Sequence, residues 1–178
     1  MRELDLVLVN ETDNCTVYSI QFLSEDESEF ERFYNKFKDD AEYNPDLMRI
    51  VAFINKIATN GAFERYFRPE GRMSDHVVAL PVVKSKLRLY CLRLSDKILV
   101  LGNGDVKTTR TYDENDTLRG CVLDLQKFER LLKEGTDKGT VRITENILKL
   151  IIFSNYENDD YFIPANGLTS PQGCDDRG

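Results

Sequence analysis

Residues 84–112 read KSKLRLYCLRLSDKILVLGNGDVKTTRTY, and the reading of this stretch decides the fold. Its first half alternates. Leu87, Leu89 and Cys91 fall on one side of an extended chain, and Lys84, Lys86, Arg88 and Tyr90 on the other, because successive strand side chains point to opposite faces. Ser95-Asp96 suits a turn into a second strand, Lys97 to Leu101, whose almost unbroken apolar run predicts deeper burial. Gly102-Asn103-Gly104-Asp105 is expected to end that strand and to lead into Val106-Lys107-Thr108-Thr109-Arg110-Thr111-Tyr112. Such a hairpin would set a cationic strand face beside a cationic loop, a surface suited to phosphate.

The charge distribution points the same way. The chain has 178 residues and a net charge of −7, which taken alone argues against nucleic acid. The basic residues are unevenly placed, however. Residues 61–112 hold 10 Lys and Arg against 5 Asp and Glu, whereas 1–60 hold 6 against 13 and 113–178 hold 8 against 13. A positive block between two acidic ones says more about partners than the net value does. The alternative is that acidic helices neutralise a basic sheet from within.

The length suits one domain, here residues 1–154, followed by a polar tail, 155–178, rich in Gly, Pro and Asn. No apolar run approaches the roughly 20 residues that span a bilayer. Nor does MRELDLVLVNETDN resemble a signal peptide, so a cytoplasmic protein is expected. Cys15, Cys91, Cys121 and Cys174 are scattered without a CxxC pair. That spacing argues against a zinc site or a disulfide framework, and Cys91 and Cys121 read as small core residues.

Upstream of the hairpin, alternation predicts strands over 3–9 and 16–22. Ser24-Glu25-Asp26-Glu27 reads as a capping box opening a helix over 25–40 that places Phe30, Phe33, Tyr34 and Phe37 on one face. Asn44-Pro45-Asp46 starts a second helix, 45–60, with Leu47, Ile50, Ile54 and Ile57 on one face and Asn60-Gly61 as its stop. Residues 62–76 form an arginine-bearing connector, and 77–83 a strand that Pro81 confines to an edge or forces to bulge. Downstream, 113–116 reads as a solvated acidic loop. A helix from Cys121 to Glu134-Gly135 carries Leu125, Phe128 and Leu132 on one stripe. Val141–Thr144 reads as a strand, and 147–153 as strand or helix.

The order of strand, two helices, arginine-bearing connector, antiparallel strands and a G-x-V-K-T-T element resembles the RelE/HigB toxins of bacterial type II toxin-antitoxin systems. The residues carrying the likeness are Leu87-Arg88-Leu89-Tyr90, then Lys97-Ile98-Leu99-Val100-Leu101, then Gly104-Asp105-Val106-Lys107-Thr108-Thr109, with Phe67-Arg68-Pro69-Glu70-Gly71 upstream. It spans roughly residues 16–112. The resemblance implies an α+β fold in which two N-terminal helices pack on one face of a twisted antiparallel sheet, with a C-terminal helix and short extra strands added here. It also implies metal-independent cleavage of messenger RNA on the ribosome, no cofactor, and a cognate helix-turn-helix antitoxin. Arg88 takes the place of the family's strand arginine, Lys107 that of its loop cation, and Tyr112 that of a C-terminal aromatic acid or base. Two departures stand out. Ala79-Leu80-Pro81 replaces a Glu-Leu-Arg run, and the chain is acidic where active members are basic.

RNA is cut without a metal when its own 2′-OH attacks the adjacent phosphorus. The protein must then manage the hydroxyl proton, the charge on the non-bridging oxygens and the leaving 5′ oxygen. Arg88 and Lys107 suit the second task, and Tyr112 the proton transfers, with Tyr90 and His76 as further candidates. Arg68, Lys84, Lys86, Tyr90 and Arg110 would bind flanking RNA. A non-catalytic relative that binds RNA or protein is the competing reading.

Overall fold

The computed structural model describes residues 4–69, 76–110, 112–143 and 148–150. The chain opens with an antiparallel hairpin, β1 (Leu4–Glu11) and β2 (Thr16–Phe22), followed by helices α1 (Glu29–Phe37) and α2 (Asn44–Asn60). A 3-10 turn at Glu64–Tyr66 leads to two short strands, β3 (Arg68–Pro69) and β4 (Val77–Ala79). The hairpin β5 (Leu87–Ser95) and β6 (Ile98–Val106) comes next. A second 3-10 turn, Tyr112–Glu114, leads to α3 (Asp116–Asp137) and a small separate pair, β7 (Val141–Ile143) and β8 (Leu148–Leu150). The main sheet has six strands in the order β1-β2-β6-β5-β4-β3.

The α+β class holds, but the arrangement differs from two helices on one face of an antiparallel sheet. Two strands precede the helices, and β2 runs parallel to β6, with Thr16 opposite Ile98 and Ser19 opposite Leu101. Helices also cover both faces. On one, Phe33 and Phe37 of α1 and Leu47, Ile50, Ile54 and Ile57 of α2 meet Val17, Leu87, Leu89, Cys91, Leu99 and Leu101. On the other, Leu118, Cys121, Val122, Leu125, Phe128 and Leu132 of α3 meet Tyr18, Ile20, Tyr90, Leu92, Ile98 and Val100. At roughly 1.5–3 kcal/mol for each large side chain buried, the α3 contacts are worth on the order of 10 kcal/mol. That makes α3 part of the folded unit, not a detachable cover.

The start of α1 and the end of β6 shift for identifiable reasons. The segment S24-E-D-E-S-E-F-E31 holds two consecutive capping boxes, and Ser28, not Ser24, is used. Its hydroxyl accepts from Glu31 N, and Glu31 Oε2 accepts from Ser28 N. A start at Glu25 would add an acidic turn with no apolar residue to bury. β6 does not stop at Gly102. It continues to Val106 through a bulge, where Leu89 and Cys91 of β5 face Gly104 and Leu101 of β6. The glycines permit this. A Cβ on Gly102 would lie 2.8 Å from Leu125 Cδ1 of α3, and one on Gly104 only 1.9 Å from Arg88 O.

Of the remaining elements, α2 keeps its expected ends, and β4 and α3 do not. α2 carries Pro45 in its first turn and ends at Gly61, whose φ of 113° suits glycine. β4 stops before Pro81, shorter than 77–83, and α3 begins five residues earlier than Cys121 because Asn115 accepts from Leu118 N as its cap. Cys15, Cys91 and Cys121 are free and buried. Of 147–153, Leu148–Leu150 is strand; residues 151–153 and the expected tail 155–178 lie outside the described residues.

Candidate functional site

The first half of β5 and the last half of β6 lie beside each other, so the strand and loop cations gather at one end of the sheet. Beyond the Ser19–Leu101 pair, β2 no longer bonds to β6, and the N-terminus of α1 fills the gap. Phe30 N donates to Ser19 Oγ at 3.1 Å. The buried Glu29 carboxylate accepts from Asn103 Nδ2 at 2.7 Å and from Arg32 Nη1 at 2.9 Å. These contacts brace the β6 bulge from the α1 side.

On β5, Arg88 lies opposite Asp105 of β6 and Leu87 opposite Val106. Arg88 Nη1 points to the Tyr90 hydroxyl at 3.5 Å. The Tyr90 ring meets Tyr112 edge-on, with centroids 6.3 Å apart and planes at 77°. Arg88 and Tyr112 are half-buried, whereas Tyr90 has no exposed surface because α3 covers it. Arg88, Tyr90 and Tyr112 thus form one group, with an arginine fork and one tyrosine at its edge and a second tyrosine as its floor.

The flanking cations divide into paired and unpaired. Lys107 N donates to Lys86 O at 2.6 Å, which places these two lysines side by side. The Lys86 ammonium meets Glu42 Oε1 at 2.8 Å, and that hydrogen bond raises its pKa above the ordinary lysine value. Its backbone N–H donates to Asp46 Oδ2 at 2.7 Å. Lys84 sits just before the strand, in a turn where its φ is 59°, so neither it nor Lys86 belongs to the alternating strand face. The side chains of Lys84, Lys107 and Arg110 are exposed, and none makes an ion pair with a described residue. Arg68 is opposite Ala79 in the sheet; its side chain lies outside the described residues. His76 is remote from this end and meets Glu129 of α3.

Sequence reading missed the acidic half of this surface. Asp105 takes the Lys36 ammonium at 2.8 Å, and Glu42 takes that of Lys86. Asn115, within the expected acidic loop, caps α3 and donates from Nδ2 to Thr108 Oγ1 at 2.8 Å, tying the segment after β6 to α3. The signal for Asn115 was present in the sequence as an Asx residue three positions before Leu118. Among the described residues, no group of three His, Cys, Asp or Glu side chains is placed to hold a metal ion. No described helix is long and apolar enough to cross a membrane.

Chemically, the end of the sheet offers a planar cation, a phenol beside it and three exposed cations without an ion pair among the described residues, which is a donor set for a phosphodiester. No family model, curated protein or solved structure matches the chain.

Proposed function

We propose that the chain is a RelE/HigB-like toxin, a metal-independent endoribonuclease that cleaves messenger RNA on the ribosome and is restrained by a helix-turn-helix antitoxin. The observation that carries this reading is the grouping of Arg88, Tyr90 and Tyr112 at the sheet end where Lys84, Lys107 and Arg110 are exposed. The run α1, α2, β4, β5, β6, in which two helices back three antiparallel strands, supports a RelE-like arrangement. β1, the parallel β2–β6 pair and α3 lie outside that likeness.

In this mechanism the substrate's 2′-OH is the nucleophile. Arg88 supplies two parallel donors to the non-bridging oxygens as charge builds on them. Lys107 adds a point charge to the same phosphate, and Lys84, Lys86 and Arg110 hold its neighbours. As the bond from phosphorus to the 5′ oxygen breaks, Tyr112 donates its phenolic proton to that leaving oxygen and is restored by the proton released from the 2′-OH, with Tyr90 fixing the Arg88 fork. The direct test is cleavage of a labelled single-stranded RNA in excess chelator by the parent, Arg88→Ala and Tyr112→Phe.

A second reading, a non-catalytic module that binds RNA or protein, rests on three observations. Tyr90 is wholly covered by α3. Lys36 and Lys86 are already paired with Asp105 and Glu42. Residues 79–81 carry no arginine. Binding that survives Arg88→Ala without any cleavage by the parent would favour it.

A further inference from the structure

The opposite end of the β5–β6 hairpin carries a feature that the proposed cleavage site does not use. Ala62 N donates to Asp96 O at 2.6 Å, and Arg93 Nε donates to Ala62 O at 2.6 Å, so the segment after α2 is fastened to the β5–β6 turn. This fastening brings three aromatic rings together. Tyr66 meets Phe53 edge-on at 6.0 Å between centroids and Phe63 at 5.7 Å. All three rings are half-buried, and two exposed cations lie over them. The Arg65 guanidinium is 4.6 Å from the Phe63 centroid and 5.1 Å from that of Tyr66. Lys56 Nζ is 5.5 Å from the Tyr66 centroid and 5.9 Å from that of Phe53.

In a chain with 31 acidic side chains, these cations rest on ring faces, and neither makes an ion pair with a described residue. A ring-seated guanidinium keeps its second face and its N–H edge turned to solvent, and nucleobases stack on such planes as they do on aromatic rings. Lysine beside the rings supplies the point charge that a phosphate between two stacked bases requires. Unpaired bases with an intervening phosphate match both halves of the cluster. A carboxylate-rich peptide would use the charges but leave the planar faces idle.

We propose that Phe53, Phe63, Tyr66, Arg65 and Lys56 form a stacking platform for the unpaired bases of single-stranded RNA. Phe53 and Tyr66 pack with the core on the α1–α2 face of the sheet, whereas Tyr90 and Tyr112 of the Arg88 group pack with the core on the α3 face. The platform therefore grips a different part of the strand from the one that is cut. It shares with the proposed function only the assumption that RNA is the ligand, and it does not depend on cleavage.

The test is fluorescence anisotropy with a labelled 2′-O-methyl uridine 12-mer, which cannot be cleaved, and a matched 12-mer whose central residues are abasic. Arg65→Ala and Arg65→Lys are both surface changes that leave the fold intact. The platform predicts that either change weakens the uridine strand by between about 5-fold and 100-fold, the cost of one lost stacking partner. It also predicts that the abasic strand binds the parent as weakly as the uridine strand binds the variants. Lys56→Ala should weaken both strands alike. Binding by Arg65→Lys equal to the parent's, abasic binding as tight as uridine binding, or competition by poly-glutamate as strong as by RNA would each overturn the platform. A parent that fails to cut RNA but shows the Arg65 dependence leaves the platform standing and removes the cleavage reading; a parent that cuts RNA yet ignores Arg65→Lys does the reverse.

Discussion

Replacing Gly104 with alanine should be among the most damaging single-methyl additions possible in this chain. An added Cβ would sit 1.9 Å from Arg88 O and 2.9 Å from Leu89 Cα, and real Cβ atoms do not approach closer than 3.0 Å. Both obstacles are backbone, so no rotamer change relieves them. β5 and β6 must part by more than an ångström, which weakens the Leu89–Gly104 and Arg88–Asp105 pairs. Two backbone hydrogen bonds at about 1 kcal/mol each, with about 1–3 kcal/mol of strained packing around Leu89, give a loss of about 4 kcal/mol. For a chain of this size the loss lowers Tm by about 10 °C. The same substitution elsewhere supplies internal controls. At Gly102 the neighbour is the movable Leu125 side chain, so the cost is about 1–3 kcal/mol. At Gly120 of α3 nothing lies within 4 Å, and alanine should stabilise by about 0.8 kcal/mol through helix propensity. Urea unfolding of the three variants measures the series. Gly104→Ala as stable as the parent, or less harmful than Gly102→Ala, would refute the bulge and the β5–β6 register that places Arg88.

Other outcomes follow from the same structure. Ser28→Ala should cost about 1 kcal/mol in urea unfolding and Ser24→Ala close to nothing, since only Ser28 caps α1; equal losses would reopen the helix start. Glu29→Ala should cost about 2 kcal/mol because it strips a buried acceptor from Asn103 and Arg32, and a neutral result would remove the brace on the bulge. Burial pushes the Cys15 thiol up to about 11 and the Cys121 thiol up to about 12. The unfolded chain therefore loses these protons first, and stability should fall as pH rises from about 9 towards 11; a urea midpoint that is flat over this window would count against their burial. If Arg88, Lys84, Lys107 and Arg110 each neutralise one phosphate, log K for single-stranded RNA should fall against log salt with a slope of about −3. A slope near zero would mean that acidic groups neutralise the surface from within.

Much of the architecture was legible because periodicity reports which residues share a face. Leu87, Leu89 and Cys91 do face α1 and α2, and α2 runs between the expected proline and glycine signals. Periodicity does not report what lies over a face. Tyr90 read as exposed beside Arg88, yet the stripe Leu118, Cys121, Leu125, Phe128 and Leu132 needed an apolar partner and took the Tyr90 face. Pairing was equally hidden, since nothing local to Thr16–Phe22 distinguishes a parallel neighbour far along the chain from an antiparallel one nearby. Gly102-Asn103-Gly104 reads locally as a turn, and only the approach of Leu125 and Arg88 O explains two glycines inside a strand. The paired acids Asp105 and Glu42 come from elements that meet only in the folded chain. For that reason the sequence identified the cations of the candidate site better than it identified their partners.

If the Arg88 group cuts RNA through the substrate's own 2′-OH, cleavage on the ribosome should need that hydroxyl and no metal. The purified chain is incubated with translating ribosomes and a labelled messenger in excess chelator, alongside a messenger carrying 2′-deoxy residues. The expected result is cleavage of the first messenger only, products ending in a cyclic or 3′ phosphate, and a loss of about a hundred- to a thousandfold in rate for Arg88→Ala. Arg88→Lys should restore only part of that rate, because a point charge cannot replace the two-pronged donor. Cleavage that chelator abolishes, cleavage of the 2′-deoxy messenger, or an Arg88→Ala variant as fast as the parent would contradict this mechanism.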